Sequence, residues 1–412
     1  MNQWIKIAFR NIRKNRRRSV VTILAVAVGF AAVGLFRGYT ANTYDGLRQS
    51  AIRGEGLGHL TIYKTGWLEN GQNDPEHTLL TAEEIRKIIA VAKTDPDVRL
   101  ATPQLSISGL VSNGRTSHIF LAMGVVPVDY RTIAGPMAAR RPVTGKPLDG
   151  GIPYGILMAD KLARLLQLKP DSDAVLMANT LDGQMNALDI RVNGTYDTGT
   201  EATSDKYLLL PYAYAQKLYD TDRADRIVVL LDDWQHTRAA RARISRNLAA
   251  AGLHCEIKTW NELSVFYGKV RGMFDMIFLF IFLIVLVIVV MSTVNTMSMS
   301  VVERTREIGT LRVLGVKRRG IGQLFAIEGA LLGVFGCLCG AALNILVWAV
   351  IHAAGPSYVP PGLSTPVPLI VSLLPGAMVR LTLFLTILSV AAAVLPARRA
   401  ARMEIAEALG HV

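Results

Sequence analysis

The sequence predicts a membrane α-helical protein of four transmembrane helices, with an α+β domain inserted between helices 1 and 2. Three observations carry that prediction. Four stretches are apolar over the roughly 20 residues that a bilayer crossing requires. The long stretch between the first two, 39–272, carries the mixed helix and strand signals of a folded domain. Positive charge gathers in the segments that flank the apolar runs, as it does on one side of a membrane.

The apolar runs are 19–38, 273–300, 325–352 and 377–396. Of the 412 residues 51% are hydrophobic and 19% charged, too apolar for an ordinary soluble enzyme and too mixed for a bare helix bundle. A basic segment precedes the first run, as in a secretory signal. Its apolar core is too long for one, and no small-x-small cleavage site follows, so a retained anchor is expected. Residues 1–18 hold seven Lys and Arg and no acid. Residues 301–324 carry +4 and 397–412 carry +1, so three short segments account for +12 of the net +13. The stretch 353–376 has no charged residue. This asymmetry puts both termini and 301–324 in the cytoplasm, and 39–272 with 353–376 outside. It also argues against nucleic acid, which needs basic residues gathered on one folded surface.

Residues 1–18 place Trp4, Ile5, Ala8, Phe9 and Ile12 near one face of a helix, with Lys6, Arg10 and Arg13 off it. That pattern fits an interfacial helix whose cations reach lipid phosphates; a plain basic topogenic flank is the alternative. After the first span, 39–53 continues as a helix and breaks at GEGLG. HLTIY (59–63) is a strand. Residues 81–93 open with a Thr-x-x-Glu capping box and keep helical spacing. Asn113-Gly114 and Asp182-Gly183, each between alternating runs, mark two hairpins. Residues 158–168 and 236–251 are expected as helices and 226–232 as a strand. Residues 260–272 are expected to run as a helix into the second span. Cys255 is alone in the outer part, which therefore forms no internal disulfide and must be stable through its own core.

The sequence holds no GxxxxGK[ST] phosphate loop, no HExxH, no CxxC and no GxSxG. The histidines, His59, His77 and His118 among them, lack ligand spacing. No catalytic, cofactor or metal residue is assigned, and the chain is not expected to be an enzyme by itself.

The third span carries Gly329, Gly333, Gly336, Gly340 and Asn344 on one helical face, a small-residue packing seam. The second span ends in Ser292, Thr293, Asn295, Thr296, Ser298 and Ser300. An amide at that depth needs a partner, so Asn295 is expected in an inter-helix seam. Glu328 is the only charge in the third span.

Between these spans runs VVERTREIGTLRVLGVKRRG. As a helix, 303–314 sets Ile308, Leu311 and Leu314 along one side with Arg304, Arg306 and Arg312 around them, and Gly315 stops it. Topology needs only the charges. The apolar stripe asks for a groove in a cytoplasmic protein, with the membrane surface as the alternative.

ERTREIGTLRVLGVKRRGIGQLFAIEGALLG, the upstream NTMSMSVVER and the closing PARRAARMEIAEALG resemble the signatures of FtsX/MacB/LolCDE-type ABC transporter permeases. GILMADKLARLLQLKPDSDAVLM is similar to a segment of the MacB-like periplasmic core, except that Asp171-Ser172-Asp173 stands where Gly-Asp is usual, so the turn there is expected to differ. GHLTIY resembles the LolE-like branch.

The resemblance implies a multi-pass protein of the bacterial inner membrane with this division: a basic helix (1–18), the first span (19–38), a periplasmic core with stalk helices (39–272), the second span (273–300), a coupling-helix loop (301–324), the third span (325–352), a Pro-rich loop (353–376), the fourth span (377–396) and a tail (397–412). It implies a separate ABC ATPase subunit that binds ATP and Mg and meets Glu303, Arg304, Arg306, Glu307, Ile308, Leu311, Arg312, Leu314 and Gly315. It also implies a second permease chain, as a homodimer or a sister permease, and a periplasmic adaptor or cargo protein. The expected work is moving or extracting a lipoprotein, lipid, peptide or drug. The alternative is an FtsX-like mechanotransmitter that activates a cell-wall hydrolase, a branch for which a smaller outer domain is expected.

Overall fold

The structure, a computed structural model, describes residues 2–71, 73–135, 143–148, 151–360 and 366–402, and the chain divides into two units. The end of the closing motif, from 403 on, lies outside the described residues, as do 361–365 of the Pro-rich loop.

The first unit is helical. An N-terminal helix (Asn2–Lys14) is followed by the first span helix (Arg16–Gln49). The second span helix runs over Val265–Glu303, the third over Arg318–Ala354 and the fourth over Pro375–Arg402. All four are long and apolar enough to cross a membrane. A short linker helix, Thr305–Val313, joins the second to the third. The apolar pattern explains the packing. Val26, Phe30 and Val33 of the first span meet Val285 and Val289 of the second, Cys337 of the third and Leu385 of the fourth. Between Gly355 and Leu374 the described residues form no helix, as the prolines there require.

The second unit is an α+β domain built on a ten-stranded sheet: β1 (Leu60–Lys64), β2 (Val98–Ser112), β3 (Ser117–Val125), β4 (Val143–Gly145), β5 (Gly155–Ala159), β6 (Asp173–Asn179), β7 (Met185–Tyr196), β8 (Tyr207–Pro211), β9 (Arg226–Leu231) and β10 (Cys255–Thr259). The order is β10-β1-β9-β2-β3-β8-β5-β7-β4, with β6 pairing β2 and β7. Fifteen-residue β2 serves two cores. Its first half lies over Leu60, Ile62, Ile227 and Val229, covered by helices Ala82–Ala92 and Thr237–Ala250 through Ile85, Ile88, Ile244 and Leu248. Its second half joins Phe120, Ile156, Met158, Leu176 and Ile190.

Local chemistry explains the boundaries. Thr81 and Glu84 form the reciprocal capping box, and Thr259 and Glu262 form a second one. Both hairpins turn where expected, with Gly114 at φ +84° and Gly183 at φ +79°. Asp171 takes φ +67°, so the backbone at this turn is left-handed and an aspartate occupies it. Residues 158–168 are a correction: GILMA is the fully buried strand β5, and the helix covers only Asp160–Leu165. A strand buried on both faces has no alternation, so its apolar run reads equally well as a helix. The helix expected over 260–272 is interrupted at Ser264, between Trp260–Leu263 and the second span helix. His59 is buried, and its Nδ1 accepts the Leu231 N–H at 3.0 Å. Burial pushes its pKa down to about 4, so it is a neutral core histidine.

Candidate functional site: the linker helix and its charge network

The linker helix has defined ends. The second span helix stops at Glu303, and Arg304 breaks the path at φ −118°, ψ 19°. At the other end Gly315 takes φ +91°. The Gly315 N–H donates to Arg312 O at 3.1 Å and the Val316 N–H to Leu311 O at 3.1 Å, the Schellman pattern. Leu311 and Val316 then pack on the same cluster, as that motif favours.

The faces differ from the expected stripe. Ile308 is buried among Met297, Val301, Ile321, Phe325 and Ala397 of the chain's own helices, and Leu311 is half-buried beside it. Leu314 points away and is 76% exposed. The reason is geometric: Leu314 is the C-cap, and the spacing 308–311–314 drifts off one face of a 3.6-residue helix. Facing outward are Arg306, Thr310, Val313 and Leu314, followed by Lys317, Arg318 and Arg319, while Arg312 is half-buried.

Arg304 is also turned inward. Its Nη1 donates to Glu328 Oε1 at 2.9 Å and its Nε to Glu307 Oε2 at 3.0 Å. The Arg304 and Glu328 side chains keep only 7% and 4% of their exposure. Asn11 Nδ2 donates to the same Glu328 oxygen, Lys14 Nζ lies 3.2 Å from Glu307, and Arg18 pairs with Glu303. The Glu307 carboxyl is held below the usual range, chiefly by the Arg304 hydrogen bond. Three N-terminal residues thus tie into the linker helix and its two neighbouring spans. Sequence reasoning did not find Asn11, Lys14 or Arg18. The signal was Glu328, a lone acid in a span that had to find a cation.

The glycine face lies at close helix crossings. A Cβ on Gly329 or Gly333 would meet Ser389 of the fourth span at 3.0 to 3.1 Å. A Cβ on Gly336 would sit 2.5 Å from Val26 Cβ, and one on Gly340 2.7 Å from Phe30 Cβ, both in the first span. Asn344 is buried against Gly34. Asn295 is a correction: it is exposed. The polar end of the second span pairs instead through Thr296, whose Oγ1 lies 2.6 Å from Thr22 Oγ1, and Ser292, which donates to Thr22 at 3.3 Å. Helix phase decides this, because Thr296 lies one residue, about 100° of rotation, beyond Asn295.

Among the described residues no group of three or more His, Cys, Asp or Glu is placed to hold a metal ion. The site is a mechanical junction in geometry: a capped helix, a buried ion pair beneath it, and an exposed basic-apolar edge.

Comparison with known proteins matches two family models along the chain. A family model described as FtsX-like permease C-terminal matches residues 279–405, and one described as MacB-like periplasmic core domain matches 19–247. The uncharacterized ABC transporter permease YvrN of Bacillus subtilis is 24% identical, with both chains covered in full. The pyoverdine export ATP-binding/permease protein PvdT of Pseudomonas aeruginosa is 24% identical over 84% of this chain and 51% of its own. The macrolide export ATP-binding/permease protein MacB 1 of Yersinia pestis is 23% identical over 98% of this chain and 60% of its own. The chain therefore spans about half to three fifths of the length of those two relatives.

Proposed function

This chain belongs to the ABC transporter permeases that join a MacB-like periplasmic core domain to an FtsX-like permease region, and from that membership we propose that it converts ATP hydrolysis on a separate ATPase subunit into motion of its outer domain. It is an inner-membrane protein, and the charge asymmetry supports cytoplasmic termini. The observation that carries the reading is the linker helix. It is rigidly capped, anchored by Ile308 and Arg304, and offers Arg306, Thr310, Val313 and Leu314 outward. A short helix with a mixed basic and apolar edge fits a groove on a partner protein. The sequence has no phosphate loop, which supports a partner that binds ATP and Mg.

Two permease chains would work together, as a homodimer or a sister pair. The names of the PvdT and MacB relatives, pyoverdine export and macrolide export, support a lipophilic or periplasmic compound as the cargo; a periplasmic adaptor would be a further partner. The ATPase contact falls on Arg306, Arg312, Leu314 and Gly315. Arg304 and Ile308 hold the helix in place from beneath.

The test is co-purification from the native membrane in mild detergent. An ATP-binding subunit should accompany the wild type and be lost from Leu314→Glu, whose site is open to solvent and tolerates charge without disturbing the core. A folded Leu314→Glu protein that retains the subunit would remove the linker helix from the interface.

A further inference from the structure

The N-terminal helix has two faces with different tasks. Ala8 is buried, and Asn11 and Ile12 are half-buried. The helix packs along the start of the third span, with Trp4 beside Gly320, and the Phe9 ring centroid lies 6.2 Å from that of Phe335. Lys6, Arg10 and Arg13 are exposed, together with Ile5 and Phe9, and the first 18 residues contain no acid. None of these three cations forms an ion pair among the described residues. A helix that offers cations interleaved with Ile and Phe suits an anionic lipid surface, where each basic residue contributes about 1 kcal/mol of attraction. A protein groove would not need the alternation.

The inner face is wired to the linker helix. Asn11 reaches Glu328, Glu328 holds Arg304, Arg304 holds Glu307, and Glu307 returns to Lys14. The loop is closed: it starts and ends on the N-terminal helix, three residues apart. Ile12 packs in the same cluster as Ile308 and Leu311. A cavity of about 20 Å³, lined among others by Asn11, Thr296, Ser300 and Glu328, leaves little slack beside it. The loop thus ties the N-terminal helix to Thr305–Val313 through side-chain contacts.

We propose that the N-terminal helix is an anionic-phospholipid sensor that steadies the linker helix through the Asn11–Glu328–Arg304–Glu307–Lys14 loop. The inference rests on the reading of that helix as the ATPase contact only for its consequence, not for its first readout. The full chain is placed in nanodiscs of phosphatidylcholine alone, or with about a third phosphatidylglycerol, and amide exchange is followed over 305–313. Acidic lipid slows exchange there about fivefold or more in the wild type. K6Q/R10Q/R13Q, all at exposed positions, removes the difference by losing the lipid contact. Asn11→Ala/Lys14→Gln removes it while the protein still captures acidic vesicles.

Equal exchange in the two lipids for the wild type overturns the proposal. So does a lipid response that survives in either variant. Loss of a co-purified ATP-binding subunit from K6Q/R10Q/R13Q, with exchange indifferent to lipid, assigns the basic face to that subunit and also overturns it. Phosphatidylglycerol should further raise ATP hydrolysis by the reconstituted complex. Slowed exchange without faster hydrolysis leaves the sensor standing and counts against the ATPase contact of the linker helix.

Discussion

Breaking the Arg304–Glu328 pair should cost far more than breaking any surface ion pair of this protein, and the two partners should not cost the same. Both side chains are more than nine-tenths buried and meet at 2.9 Å. Removing one member of a buried pair typically costs about 3–5 kcal/mol, because the other charge stays behind uncompensated. The residual partners set the asymmetry. After Glu328→Leu, Arg304 still has Glu307, whose side chain is half exposed, so the loss should fall near about 3 kcal/mol. After Arg304→Met, Glu328 keeps only the neutral Asn11 amide, so the loss should approach about 5 kcal/mol. The double variant R304M/E328L leaves no orphan charge and should recover most of the loss. The assay is unfolding of the purified full chain in mixed micelles by increasing dodecyl sulfate, followed by tryptophan fluorescence. Losses that simply add in the double variant would refute the argument, since additive costs mean that the two groups do not compensate each other. By contrast the Lys14–Glu307 pair, 69% and 51% exposed, should yield less than about 1 kcal/mol when Lys14 is neutralised.

Three further outcomes are expected. Gly336→Leu should lower the yield of monodisperse protein and cost at least about 1–3 kcal/mol, because even a Cβ would stand 2.5 Å from Val26; Gly322→Ala, which meets nothing within 4 Å, should be neutral or stabilising in the same measurement. Asp171→Gly should stabilise the chain by about 1 kcal/mol in chemical denaturation, since the site is left-handed at φ +67° and its Lys146 contact is solvent-exposed. His59 binds its proton less readily folded, at about 4, than unfolded, at 6.5. Its stabilising contribution is therefore complete above the unfolded value and is lost as pH falls toward the folded one, about 3 kcal/mol in all. His59→Asn keeps an acceptor for Leu231 N–H and should flatten that part of the stability profile between pH 7 and 4; an unchanged slope would remove the histidine from the acid response.

Much of this protein was legible in one dimension. Span number, the inserted α+β domain, the Thr81–Glu84 cap, both glycine hairpins and the glycine seam follow from signals within a few residues of each other: apolar run length, capping spacing, and residues that alone tolerate a positive φ or a close crossing. The linker helix was legible for the same reason, with Gly315 as its stop. Tertiary structure decided which side of each helix is used. Nothing local distinguishes an Ile308 that faces the chain's own spans from one that faces a partner, or an Asn295 in a seam from an exposed one, because a one-residue change of phase turns a helix by about 100°. The buried strand β5 escaped because burial on both faces erases its period. The charge network escaped because Asn11 and Glu328 lie 317 positions apart. Sequence placed one acid, Glu328, in the third span; only the packing of the N-terminal helix and the break at Arg304 determined which residues met it.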